Sequence, residues 1–171
     1  MSTTLFETER LSLRELLPAD AGFYLELLSD PDFKANIADR GVSTPELALA
    51  NMEERVFSSY DAHGFGMWLV SRKSDGVALG TAGLVKRDFL EDVDIGYAFL
   101  PVGRGAGYAT EAAAGVVRFA RERFALGRLA AIVAPHNIDS ISVLQRLGFY
   151  RKGQVKFPDD GELCEHFLLD D

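Results

Sequence analysis

The six residues Arg104-Gly105-Ala106-Gly107-Tyr108-Ala109, set between an expected strand and an expected helix, have the composition of an anion site. A glycine-rich turn of this kind points successive backbone N–H groups at one spot, where the helix dipole adds positive potential. Small residues let a pyrophosphate come up against the main chain, and Arg104 adds a permanent charge nearby. The plainer reading is a tight turn without a ligand, and loop composition alone leaves both readings open. Two other phosphate loops can be tested on the letters. A P-loop ends in Gly-Lys followed by Ser or Thr, and that ending is missing here. The dinucleotide fingerprint needs Gly or Ala at its sixth position, but the frame from Gly105 puts Thr110 there and the frame from Gly103 puts Tyr108. That fingerprint also follows a first strand, whereas several strands precede this loop.

Other residues able to do chemistry are scattered. Asn137, Asp139 and Ser140 sit where a turn enters a helix, and spacing alone favours helix capping for them. Asp94 lies on an expected strand, where it is a candidate proton acceptor or a structural, solvent-facing carboxylate. His63, His136 and His166 are far apart, and together with the single cysteine, Cys164, they offer no metal-ligand spacing. Cys164 has no paired histidine motif and reads as structural. Asp88, Glu91 and Asp92 read as a solvated loop, with an entrance that attracts a cationic amine as the alternative.

The elements that must position these residues follow from periodicity and turn signals. A strand is expected near 11–14, then a helix opened by Pro18-Ala19-Asp20 and stopped near Asp30-Pro31. Ser43-Thr44-Pro45-Glu46 starts a second helix running to about Ser59. Strands at 67–72 and 77–86 flank a Lys73-Ser74-Asp75-Gly76 turn and predict a hairpin. Residues 92–100 form a further strand ended by Pro101. The glycine loop then leads into a long amphipathic helix over 108–124. A short apolar strand at 129–134 precedes a helix over 139–147 closed by Gly148. The remainder reads as two strands around Pro158-Asp159-Asp160-Gly161. Hairpins in the first half require a mixed sheet, so the class is α+β or α/β and not simply doubly wound.

Bulk properties bound the possibilities. A chain of 171 residues with 47% apolar residues and no biased segment reads as one domain, 1–171. A formal net charge of −8 argues against nucleic acid as a partner and suits cationic ones such as amines. One cysteine permits no internal disulfide, and neither a secretory signal nor a membrane-length apolar run is visible. The expectation is a soluble cytoplasmic protein with no membrane partner.

Read together, these motifs resemble a known family. Arg104-x-x-Gly107-x-Ala109 is similar to the Arg/Gln-x-x-Gly-x-Gly/Ala signature of the GNAT superfamily of N-acetyltransferases, with Pro101 spaced as in many members. Ala109-Thr110-Glu111-Ala112 resembles the Rim-type branch, which acetylates the N-termini of ribosomal proteins. The opening Glu7-Thr8-Glu9-Arg10-Leu11-Ser12-Leu13-Arg14-Glu15 also looks like that branch. So do Gly80-Thr81-Ala82-Gly83-Leu84, Asp94-Ile95-Gly96-Tyr97, Asn137-Ile138-Asp139-Ser140 and Leu147-Gly148-Phe149. The resemblance spans nearly the whole chain, with the motifs in order.

It implies a twisted mixed sheet of about six or seven strands flanked by helices on both faces, and acetyl-CoA as co-substrate without a metal. Arg104, Gly105, Ala106, Gly107, Tyr108, Ala109 and Thr110 would hold the CoA pyrophosphate. The backbone of Phe99 and Leu100, and the Asn137 side chain, would hold the pantetheine arm. Ser140 would assist the departing thiolate, because the position where many relatives carry a tyrosine acid is Leu144 here. Asp94 stands where related enzymes often carry a glutamate base. The implied reaction is direct attack of a primary amine in a ternary complex. A site without an obvious strong base suits an α-amine of pKa ~7.7–8.0 better than a lysine near ~10.4. A non-catalytic CoA-binding module is the alternative, and a longer acyl donor is a variant of the main reading.

Overall fold

A protein built from hairpins must find cover for both faces of its sheet, and the helices here divide that task. In the computed structural model, which describes residues 3–171, the chain opens with a hairpin, β1 (Thr4–Glu7) and β2 (Leu11–Glu15). A 3₁₀ turn at Pro18–Asp20 leads into α1 (Ala21–Ser29), α2 (Pro31–Asn36) and α3 (Pro45–Met52). A π turn over Glu53–Phe57 joins α3 to α4 (Ser58–His63). Three strands follow: β3 (Met67–Arg72), β4 (Ala78–Val85) and β5 (Asp94–Phe99). Then come α5 (Tyr108–Phe124), β6 (Leu129–Val133), α6 (Ile138–Arg146), β7 (Tyr150–Lys156) and β8 (Leu163–Leu169). The eight strands form one mixed sheet in the order β1-β2-β3-β4-β5-β6-β8-β7.

Local chemistry accounts for the ends of these elements. Thr44 caps α3 by accepting from Leu47 N–H at 3.1 Å, with Pro45 just inside. Gly64 ends α4 in the left-handed region at φ 77°. One face of the sheet buries Leu11, Leu13, Trp68, Val70, Leu79 and Leu84 against the apolar stripe of α5, Ala112, Ala113, Val116 and Ala120. The other face buries Leu16 and Leu69 under Leu27, Leu28, Met52 and Val56 of the N-terminal helices. Helices therefore cover both faces, as the resemblance implied.

Among the described residues the strand count is eight against the expected about six or seven, because β1 adds an edge strand that the sequence reading missed. The second helix also runs past Ser59 to His63, through the π turn, and α2 occupies ground read as loop.

One irregularity matters most for function. β5 pairs with β4 along its whole length, from Gly80 opposite Phe99 to Val85 opposite Asp94. β5 and β6, which are parallel, share a single bridge, Asp94 opposite Ala130. Beyond that bridge the two strands diverge, and the sheet opens into a fork with Asp94 at its foot.

Candidate active site

The fork's inner edge is set by hydrogen-bond parity. Leu100 N–H donates to Leu79 O at 2.9 Å, which turns the even-numbered residues of this strand toward β4. Val93 O accepts from Ala130 N–H at 2.9 Å, which turns the odd ones toward β6. Past the foot, where Ile95 N–H closes the bridge on the Ala130 carbonyl, Tyr97 and Phe99 present backbone N–H and C=O groups to the opening, with no strand paired opposite them. Phe99, whose backbone was expected to meet the pantetheine arm, lies on this open edge. Leu100 does not: its N–H is held by Leu79, its carbonyl accepts from Gly103 N–H at 2.8 Å, and its side chain is buried with the N-terminal helices.

At the open end lies the glycine loop. Gly105 and Gly107 both sit at φ 80°, a region that side-chain-bearing residues rarely adopt, and open space lies above Gly105. Gly107 is the N-cap of α5 and supplies no side chain to close it. Among the described residues, none of the six N–H groups from Gly105 to Thr110 has a protein acceptor. That is a cradle for an anion, and it fits a pyrophosphate.

The charge beside the cradle is not the one expected. Arg104 is turned away, bonded to Asp30 at 2.5 Å and Asp32 at 2.9 Å. Arg10 stands there instead, with an Nη atom 3.6 Å from where a Gly107 Cβ would be and its guanidinium 4.3 Å from the Tyr108 ring centroid. Glu111 holds it in place. That carboxylate accepts from Arg10 Nε at 2.6 Å, Arg10 N–H at 2.8 Å and Thr8 Oγ1 at 2.5 Å. The sequence reading passed over Arg10, although its Thr8-x-Arg10 and Glu111 neighbours were both in motifs it quoted.

Midway along the fork, a hydrogen bond crosses from β5 to α6. Tyr97 OH lies 2.9 Å from Ser140 Oγ and 3.1 Å from the Ser140 carbonyl. Burial pushes the Tyr97 phenol up to about 12, so it stays protonated. Asn137 caps α6, its Oδ1 accepting from Ser140 N–H at 3.3 Å, which is the capping role that spacing favoured. Leu144 is fully buried in the core and brings no acid. Tyr97 was quoted only as part of a strand motif, yet it is the hydroxyl nearest Ser140.

Asp94 is 1% exposed. Burial raises its carboxyl to about 6, against the opposing pull of Arg87, whose Nε lies 3.2 and 3.3 Å from the two oxygens. A carboxylate poised there can take a proton near neutrality. Glu91 and Asp92 do not form an acidic entrance, since both pair with Arg128, at 3.9 and 3.1 Å. Cys164 lies on β8, half-buried, with its thiol pushed up by burial, the opposite of an activated nucleophile. His63 stacks on Phe65, and His136 reaches the Ala35 carbonyl at 3.2 Å. Among the described residues no helix is long and apolar enough to cross a membrane.

A forked sheet with an anion cradle at the end of one tine defines a coenzyme-A-dependent acyltransferase of the GNAT class. Comparison with known proteins agrees. Residues 10–150 match the family model described as acetyltransferase (GNAT) domain. YkkB, an uncharacterized protein of Bacillus subtilis (strain 168), is 28% identical over 156 residues, covering 90% of this chain and 89% of that protein. The structure of an acetyltransferase from Agrobacterium tumefaciens str. C58 superimposes with a TM-score of 0.83 at 22% identity, covering 100% of this chain and 96% of that one. RimJ of Mycobacterium smegmatis, solved in complex with CoA-disulfide, superimposes at 0.77 with 21% identity, covering 94% and 81%. The chain belongs to the GNAT acetyltransferase family and is an N-acetyltransferase that uses acetyl-CoA. The reading as a non-catalytic module falls away.

Proposed function

We propose that the protein transfers the acetyl group of acetyl-CoA directly to a primary amine, a protein N-terminal α-amine or a small-molecule amine, with both substrates bound at once. The observation that carries this reading is the Tyr97–Ser140 hydrogen bond across the fork, midway between the cradle and Asp94. Acetyl-CoA supplies the activated thioester. The backbone of Gly105 to Thr110, with Tyr108 and Ala109 opening α5, holds its pyrophosphate, and Arg10 adds the positive charge that Arg104 gives to Asp30 and Asp32. Phe99 and Tyr97 offer main-chain groups along the pantetheine arm, which carries two amides in need of partners. The second amide atom of Asn137 serves the same arm.

Tyr97 and Ser140 form a proton relay. With the phenol donating to Ser140 Oγ, the serine hydroxyl is free to donate to the thiolate that leaves. Asp94 accepts the proton released by the amine, directly or through one water, because burial places its carboxyl near the working pH. Free N–H groups of β5 polarise the acetyl carbonyl.

The test is initial-rate kinetics with acetyl-CoA and a panel of α-amines and lysine-type amines, beside calorimetric titration with acetyl-CoA. Intersecting double-reciprocal lines and a preference for α-amines are expected. Parallel lines, the mark of a covalent acetyl-enzyme, would overturn direct attack, and Cys164→Ala should leave the rate unchanged.

A further inference from the structure

At the foot of the fork, on the side away from the cradle, a pocket of about 380 Å³ opens between the β4–β5 loop, the π turn and the β7–β8 turn. That is the small end of the usual ligand range of ~300–1,000 Å³. Its walls are unexpectedly basic for a chain of net charge −8. Arg55, Lys86 and Arg87 line it, with Phe89 and Phe157 packed edge to face at 5.5 Å as the apolar part. Arg40 lies behind them, half-buried, where it feels the charges of both Arg55 and Arg87.

Three of these guanidiniums have donors without acceptors. Among the described residues Arg40 and Arg55 form no ion pair within 4 Å and no side-chain hydrogen bond. Arg87 holds Asp94 through Nε alone, leaving both outer nitrogens unpaired. Burial and the repulsion of Arg55 both lower the Arg40 guanidinium. Asp88 and Asp159 on the rim are exposed and form no ion pair within 4 Å. Arg40 and Arg87 are half-buried with donors left over, while Asp159 acts on Arg40 only from beyond ion-pair distance, so an anion entering the pocket would complete them. The π turn is itself an irregularity of the kind that re-aims side chains at functional sites, and it carries Arg55.

We propose that this pocket binds an anionic group of the acceptor, so that the amine acetylated is one carrying a carboxylate close to its nitrogen. The inference rests on the acetyl-transfer reading above and specifies its second substrate. A guanidinium takes a carboxylate through two parallel bonds of ~2.8 Å. Arg87 can do this with its outer nitrogens while its Nε stays on Asp94. One side chain thus ties the carboxylate of the acceptor to the proton acceptor for its amine. A free amino acid and a peptide with an acidic second residue both present this chemistry. A polyamine does not, and the four cations repel it.

Matched acceptors separate these cases. The amine arms are a panel of α-amino acids against their α-amides, Ala-Asp peptides against Ala-Asn peptides, and spermidine. Rates are referred to the neutral amine in each. In parallel, N-acetyl amino acids and their amides, which carry no titrating amine, are titrated calorimetrically into the CoA-saturated protein. The acid member of at least one pair is expected to be favoured about tenfold or more in kcat/KM and in binding. Arg55→Gln, at an exposed position, should bring that ratio near one with acetyl-CoA affinity unchanged, and Arg55→Lys should restore part of it. Preference among amino acids alone points to free amino acids, and preference among peptides alone to protein N-termini. Equal use of amides or spermidine, or a ratio indifferent to Arg55→Gln, overturns the inference and leaves the transferase reading standing. Tight, Arg55-dependent binding of the acids without turnover of any amine does the reverse.

Discussion

Asp94 combines two demands that oppose each other. Burial favours its neutral form and Arg87 favours its charged form, and the balance near 6 leaves it a usable base. In the proposed mechanism its deprotonated form is the active one, so activity should be lost as pH falls below about 6. An α-amine must also be neutral, and it titrates near ~8. For the native enzyme, log kcat/KM should climb with a slope of about two below pH 6 and about one from there to 8. Asp94→Asn should retain only the shallower slope, with kcat lower by roughly 10²–10⁴. A profile unchanged in shape would assign Asp94 to holding Arg87 alone.

Ser140 and Tyr97 make the second residue-scale prediction. Each of Ser140→Ala and Tyr97→Phe should lower kcat about 10- to 100-fold with little change in acetyl-CoA affinity, and the double variant should be no worse than the poorer single one. Additive losses would show that the two hydroxyls act independently.

At the scale of elements, the loop and the helix it opens work as one device. Gly107→Val forces a branched side chain to φ 80°, at a cost of about 1–2 kcal/mol in stability, and places methyl groups where the anion would lie. A modest fall in melting temperature is expected, with acetyl-CoA binding lost in calorimetry. Retained affinity would remove the cradle assignment. This device was legible in the sequence because it is contiguous: glycines, arginine and helix start stand within seven residues, and the helix from Tyr108 to Phe124 fell where its periodicity put it. Short or edge elements were not legible. β1 is four mostly exposed residues, α2 is six, and a π turn has no compositional mark that distinguishes it from the helix around it.

For the whole molecule, the decisive contacts join distant stretches of chain. Arg104 reaches Asp30 and Asp32, Glu111 reaches Thr8 and Arg10, Tyr97 reaches Ser140, and Arg40, Arg55 and Arg87 converge. No local pattern announces such pairings, which is why the loop's shape was legible while the arginine beside it was not. The partner of the acidic stretch was illegible for the same reason, because Arg128 lies 36 residues from Asp92 in sequence. The forked sheet gives a prediction at this scale. Amide hydrogen exchange at Tyr97 and Phe99 should slow when CoA is added, whereas Leu100, already bonded to Leu79, should not respond. Equal slowing at all three would place the coenzyme elsewhere.

The single bridge between Asp94 and Ala130 has a thermodynamic consequence. The sheet is two smaller sheets with one shared rung, and a pantetheine arm laid on the free edge of β5, as proposed above, would be in effect a ninth strand supplied from solution. A ligand that binds only the folded chain raises stability with the logarithm of its concentration, by about 2.7 kcal/mol at a hundredfold excess over Kd. On that relation the folded protein should resist proteolysis better as the acetyl-CoA concentration rises.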